Sequence, residues 1–141
     1  MNKIILTSFL SFLFLMSACK VFNYKQYAKK FQINYGESGG FTGATNEFML
    51  QGAGELFEIK AFGSDTAKVK QLCNKDVKNI LKLATSKKLS KIKLNETGNL
   101  VQFIKVYESG KLIQEFQWNK GNELPEPLKN LHKTLINLQS N

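Results

Sequence analysis

The sequence predicts an α+β domain: an antiparallel sheet of about five strands with two amphipathic helices packed on one face. Three observations lead there. Short runs of alternating apolar and polar residues recur between glycine-rich turns. Two later stretches space their apolar residues three and four apart, the period of a helix with one buried stripe. Between those stretches, two nine-residue runs flank Ser109-Gly110, a two-residue connection suited to a primed hairpin turn. Strands that precede and follow a helix, with an adjacent hairpin among them, favour an antiparallel sheet with its helices segregated to one face.

Taken in order, Phe31-Gln-Ile-Asn-Tyr35 alternates with period two and reads as the first strand. A glycine loop follows. Phe48 and Leu50 share one face of a second strand over residues 46–51, and Gly52-Ala-Gly-Glu55 reads as a turn. Phe57, Ile59 and Ala61 alternate with Glu58 and Lys60 in a third strand, which Gly63-Ser-Asp65 ends. Val77, Ile80, Leu81 and Ala84 form the stripe of a helix over residues 75–87, with Cys73 or Asn74 at its cap. Asp76 in its first turn and Lys87 and Lys88 at its end complement the helix dipole.

The hairpin of Leu100–Glu108 and Lys111–Asn119 comes next. An unbroken register from the turn sets Glu108 opposite Lys111, Tyr107 opposite Leu112, Phe103 opposite Phe116 and Val101 opposite Trp118. That register predicts one aromatic and apolar face, with Lys105 and Gln114 as its polar pair. Pro127 suits the first turn of a closing helix, where its missing N–H would have no partner anyway. Leu128, Leu131, Leu135 and Leu138 make that helix's stripe.

The N-terminus has a different character. Lys3 precedes an apolar run from Ile4 to Met16, shorter than the roughly 20 residues of a membrane span. The run ends in Leu15-Met16-Ser17-Ala18-Cys19, which resembles the lipobox of bacterial lipoproteins. The resemblance implies cleavage before Cys19, a lipid on its thiol, and acylation of the new amine. It divides the chain into a signal peptide (1–18), a lipidated cysteine and tether (19–30), and a single domain (31–141). In the tether, Phe22, Tyr24 and Tyr27 suit a membrane interface. Lys20, rather than an aspartate, follows the cysteine, and no acidic run comes after it. By the same resemblance this implies the periplasmic face of the outer membrane.

The net charge of +9 comes from 20 basic residues, all lysine. Arginine is the usual instrument of bidentate phosphate and base recognition. Its absence, with lysines spread along the whole chain, argues for a solvated basic surface and against a nucleic-acid partner. With Cys19 acylated, Cys73 has no disulfide partner, and a lone thiol in an oxidising compartment is more often buried and inert.

Signals for catalysis are absent from the sequence. His132 is the single histidine, at the edge of the last helix's apolar stripe, and reads as a half-buried helix residue. No second histidine, CxxC pair or carboxylate cluster stands at metal-ligand spacing, and no GxSxG surrounds a serine. The expectation is a non-enzymatic chain with no cofactor and no metal.

The most unusual stretch is residues 36–45, GESGGFTGAT. Gly36, Gly39, Gly40 and Gly43 fit neither GxxxxGK[ST] nor GxGxxG, and the residues after them read as a strand, so no helix N-terminus awaits a phosphate. Two accounts remain. Phe41 folds back to cap the core, or it stands out on a loop of small residues to enter a partner's groove.

Gly39-Gly-Phe-Thr-Gly43 after a first strand, with a closing Leu124-Pro125-x-x-Leu128-x-x-Leu131-x-x-x-Leu135, resembles the emfourin family of small bacterial inhibitors of thermolysin-like metalloproteases. The resemblance covers about residues 31–138 in order of elements. It implies a protein-binding domain whose N-terminal segment and glycine loop, Gly39, Gly40, Phe41, Thr42 and Gly43, engage a protein partner, a metalloprotease by the family's habit. The alternative is a structural lipoprotein that scaffolds an outer-membrane assembly.

Overall fold

A computed structural model of the chain describes residues 24–40, 45–60 and 65–140. Its architecture is α+β. Among the described residues, a six-stranded sheet carries three helices on one face, one strand and one helix more than the sequence suggested. The elements run α1 (Tyr24–Ala28), β1 (Phe31–Gly39), β2 (Thr45–Gln51), β3 (Glu55–Ile59), β4 (Thr66–Gln71), α2 (Asn74–Ala84), a 3-10 turn (Leu89–Lys91), β5 (Leu100–Glu108), β6 (Lys111–Asn119) and α3 (Glu126–Asn137). Strand order is β4-β3-β2-β1-β5-β6, every neighbouring pair antiparallel. The chain lays down a four-strand meander, crosses through α2, and adds its hairpin on the far side of β1.

β1 is the axis of the sheet. It pairs with β2 from Gln32 to Ser38 and with β5 over all nine of its residues. Its alternation is nearly complete, with Phe31, Ile33 and Tyr35 buried and Gln32 and Asn34 on the other face. The buried face continues through Phe48 and Leu50 of β2 and Leu56 of β3. On the other side of β1 it runs through Ile104 and Val106 of β5 and Phe116 and Trp118 of β6. Ala28 of α1, Val77, Ile80, Leu81 and Ala84 of α2, and Leu128, Leu131 and Leu135 of α3 complete the same cluster. The two long helices bury the stripes that their spacing predicted. Leu138 is only partly buried, because it lies beyond the last full turn.

The hairpin corrects the expected register. Glu108 does face Lys111 and Tyr107 faces Leu112, but the next pair is Val106 with Gln114, so Ile113 is skipped. This β-bulge moves every later residue of β6 to the other face. Trp118 therefore pairs with Gln102 rather than Val101, and Phe116 with Ile104 rather than Phe103. Lys105 meets Glu115, at 3.2 Å, instead of Gln114. The outcome follows from burial. With the slip, Phe116 and Trp118 join Ile104 and Val106 beneath α3, whereas the unbroken register would leave both rings on the face that carries no described helix.

β4 was not anticipated. Its Thr-Ala-Lys-Val-Lys-Gln run is almost wholly exposed and so lacks the apolar alternation of an inner strand. It is an edge strand with a bulge of its own, the register skipping Val69 between Leu56 and Phe57. Bulges and lysines are common ways to blunt a sheet edge against further pairing. The bulged residues of both edge strands, Val69 and Ile113, are exposed.

The segment expected as tether also holds structure. Tyr24–Ala28 is helical, Ala28 is buried, and the Lys30 carbonyl accepts the Ser109 N–H at 2.7 Å. Tyr24 and Tyr27 pack against the core, Tyr27 edge-on to Phe31 with ring centroids 5.0 Å apart.

Trp118 is 1% exposed, and its indole N–H donates to Gln102 Oε1 at 3.0 Å. Trp118→Ala leaves both a large cavity and an unmatched acceptor. We expect a loss of about 3–5 kcal/mol in denaturant unfolding, whereas Leu112→Ala, at an exposed position on the same strand, stays within about 0.5 kcal/mol of the parent.

Candidate functional site

The glycine loop leaves the sheet where β1 ends. Gly39 and Gly40 are described; Phe41, Thr42 and Gly43, like Cys19, lie outside the described residues. Gly39 pairs with Leu100, and the Gly40 N–H donates to the Asn99 carbonyl at 2.5 Å. Both glycines have positive φ, 110° and 77°, where L side chains are strained. They differ in surroundings. A Cβ on Gly39 would run into the Asn99 carbonyl, while one on Gly40 would meet open space. Gly39 thus lets two backbones approach, and Gly40 bends the chain just past the end of β1.

Beside this stem lies a polar chain that the sequence did not reveal. The Trp118 indole N–H donates to Gln102, and Gln102 Nε2 donates to Glu37 Oε1 at 2.8 Å. Lys120 Nζ reaches the same carboxylate at 3.0 Å. Glu37 and Gln102 are cross-strand partners on β1 and β5, so the register places them together. His132 of α3 packs edge-on against Trp118, centroids 5.1 Å apart and planes at 84°. As expected from its place beside the leucine stripe, His132 is half-buried.

The electrostatics follow from these contacts. Burial pushes the Glu37 carboxyl upward, but the hydrogen bonds from Lys120 and Gln102 and the charge of Lys120 outweigh it and hold the group below its ordinary value. Burial lowers the His132 imidazole, against the opposing pull of the Glu37 charge. The result is one fixed carboxylate and one imidazole biased toward its neutral form. Each is tied into the fold by the groups that set its charge. Chemically, this arrangement braces the loop stem: it links β1, β5, β6 and α3 around the point where the loop departs.

Nor do the other candidate groups converge. Cys73 is exposed rather than buried, and its thiol donates to Asp76 Oδ2 at 3.1 Å across the first turn of α2. Among the described residues no three His, Cys, Asp or Glu side chains are grouped so as to hold a metal ion. No described helix is long and apolar enough to cross a membrane. Comparison with protein-family models finds no matching family, and comparison with curated proteins finds no matching sequence.

Sequence reasoning missed Glu37, Gln102 and Lys120 because 65 residues separate the first two and 83 separate Glu37 from Lys120. The available signal was the hairpin register, which needed the bulge to point Gln102 at Trp118.

Two predictions follow from this geometry. Gly40→Ala should cost about 1–2 kcal/mol, the strain of a left-handed alanine. Gly39→Ala should cost more, because backbone must also move; paired thermal melts give the order. For pH, a His132 value below the ordinary 6.5 means that the unfolded chain takes up the proton first. Stability is therefore complete above 6.5 and falls as pH drops through the lowered folded value. Glu37 adds a second loss below its ordinary 4.5. Urea titrations across pH should show the first limb vanish in His132→Gln and the second shrink in Glu37→Gln.

Proposed function

We propose that this chain is a lipid-anchored envelope protein that displays the glycine loop to a protein partner, with no catalysis of its own. One observation carries the reading: the N-terminal segment and the loop join opposite ends of β1. The chain enters at Phe31 and the loop departs after Gly39. Nine residues of strand at about 3.3 Å each put the loop roughly 30 Å from the point of entry. An anchor at Cys19 would then hold one end of the domain at the bilayer and turn Gly39 and Gly40, where the loop begins, away from it. The stem supports the same reading. A loop that enters a preformed cleft gains from rigidity, which lowers the ordering cost of binding, and the Glu37, Gln102, Lys120 and Trp118 chain braces its base.

The resemblance of Gly39–Gly43 and the closing leucine pattern to emfourins makes a thermolysin-like metalloprotease the partner to test first. A different observation favours the scaffolding role. The sheet face opposite the helices carries half-buried Met49, Phe57, Ile59 and Tyr107, and Leu112 and Ile113 are exposed beside them. A mixed face of this kind suits a lasting contact with a larger assembly.

Residues 20–141 carrying Cys73→Ser, with and without Phe41→Ala, would be titrated against thermolysin-like proteases. The expected result is inhibition by the parent and at least a tenfold weaker effect in Phe41→Ala, with thermal stability unchanged. A strong drop in melting temperature in that variant would instead place Phe41 in the core. Folded parent protein that inhibits none of them, but co-purifies with an envelope complex, would favour the scaffold.

A further inference from the structure

The end of the sheet where the chain enters has a composition of its own. It gathers Lys25 and Lys29 of and after α1, Lys30 before β1, and Lys111 just after the β5–β6 turn. The Ser109 N–H bonds to the Lys30 carbonyl, so these segments are held against one another. All four lysines are exposed, and none is in an ion pair among the described residues. The acids at this end do not cancel them. Glu55 is bound to Lys68 at 2.7 Å, which leaves Glu108, opposite Lys111 in the register, and Asp76, two carboxylates against four lysines. A groove of about 800 Å³ opens beside two of them, lined by Lys29, Lys30, Gln51, Tyr107 and Ser109.

We infer that this basic end is a docking surface for anionic phospholipid headgroups, the phosphates seated against Lys25, Lys29, Lys30 and Lys111. The inference rests on the reading of Cys19 as the lipid anchor. Five residue steps separate Cys19 from Tyr24, and extended chain covers at most about 3.6 Å per step. The domain is therefore held within roughly 18 Å of the bilayer, by the end that carries these lysines. At that distance their attraction to anionic headgroups is only partly screened, since it decays over about 8 Å at physiological ionic strength. Lipid and lysines act as two signals: the acyl chains retain the protein, and the lysines orient it. The far end, with Glu37 and the loop stem, is turned outward.

The test uses the full acylated chain in vesicles of phosphatidylcholine, with or without phosphatidylglycerol. Flotation reports the anchor. Lysine acetylation, read by mass spectrometry, reports the orientation. The expected result is that phosphatidylglycerol slows labelling of Lys25, Lys29, Lys30 and Lys111 by about fivefold or more, leaves Lys60 and Lys120 at the opposite end unchanged, and has this effect reduced by added salt. The combined Lys29→Glu, Lys30→Glu and Lys111→Glu variant should still float but lose the protection at Lys25. Wild-type protein that floats yet labels equally at both ends in both lipids overturns the docking surface and leaves the anchor standing. Wild-type protein that does not float overturns the anchor, and the docking surface with it.

Discussion

The bulge at Ile113 sets the register on which the helical face of this domain depends. One skipped residue in β6 brings Phe116 and Trp118 to the side of Ile104 and Val106, where α3 covers them with Leu128, Leu131 and Leu135. The same slip lets the Trp118 indole reach Gln102, and through it Glu37 on β1. Without it, two of the largest rings in the chain would lie on the opposite face, and α3 would lose the Trp118 ring that His132 packs against. Burial of Phe116 and Trp118 outweighs the ladder hydrogen bond lost at the bulge, since large aromatic side chains contribute several kcal/mol each.

That register also explains why the base of the loop is firm. Glu37 and Gln102 are opposed because β1 and β5 pair along their full length, and Lys120 arrives because β6 ends beside them. The polar chain is thus a consequence of strand alignment. Exposed surface ion pairs are worth little alone. Here Lys120 acts together with a neutral amide and an indole, and the gain is in fixed geometry at the point where the backbone turns through Gly39 and Gly40.

Charge is distributed along the same axis. Four exposed lysines outside any ion pair among the described residues collect at the end where the chain enters, and near the end where the loop departs Lys120 is paired with the Glu37 carboxylate. The strand β1 joins the two. If the first end meets a bilayer, the second is presented to whatever the protein binds, and a single nine-residue strand supplies both the spacing and the direction.

Much of this was legible in the residues themselves. Alternation identified β1 and β2 and located β3, although in β3 the buried residue is Leu56 while Phe57 and Ile59, read as its inner face, lie on the face opposite the helices; helical spacing identified the buried stripes of α2 and α3; Ser109-Gly110 marked the hairpin turn and both of its strands. These are local signals, set by side-chain direction within one element. Three features were decided only by tertiary packing. β4 was unreadable because an exposed edge strand needs no apolar face. α1 was read as tether because five residues are too few to show a period, and it is held by Ala28 and the core beneath it. The register of β6 was misread because an unbroken ladder is the simplest local solution, while the bulge is stabilised by a helix that arrives later in the chain. Composition determined the basic surface, but only the fold brought Lys25, Lys29, Lys30 and Lys111 to one end, since charges distant in sequence become neighbours only when the strands between them pair.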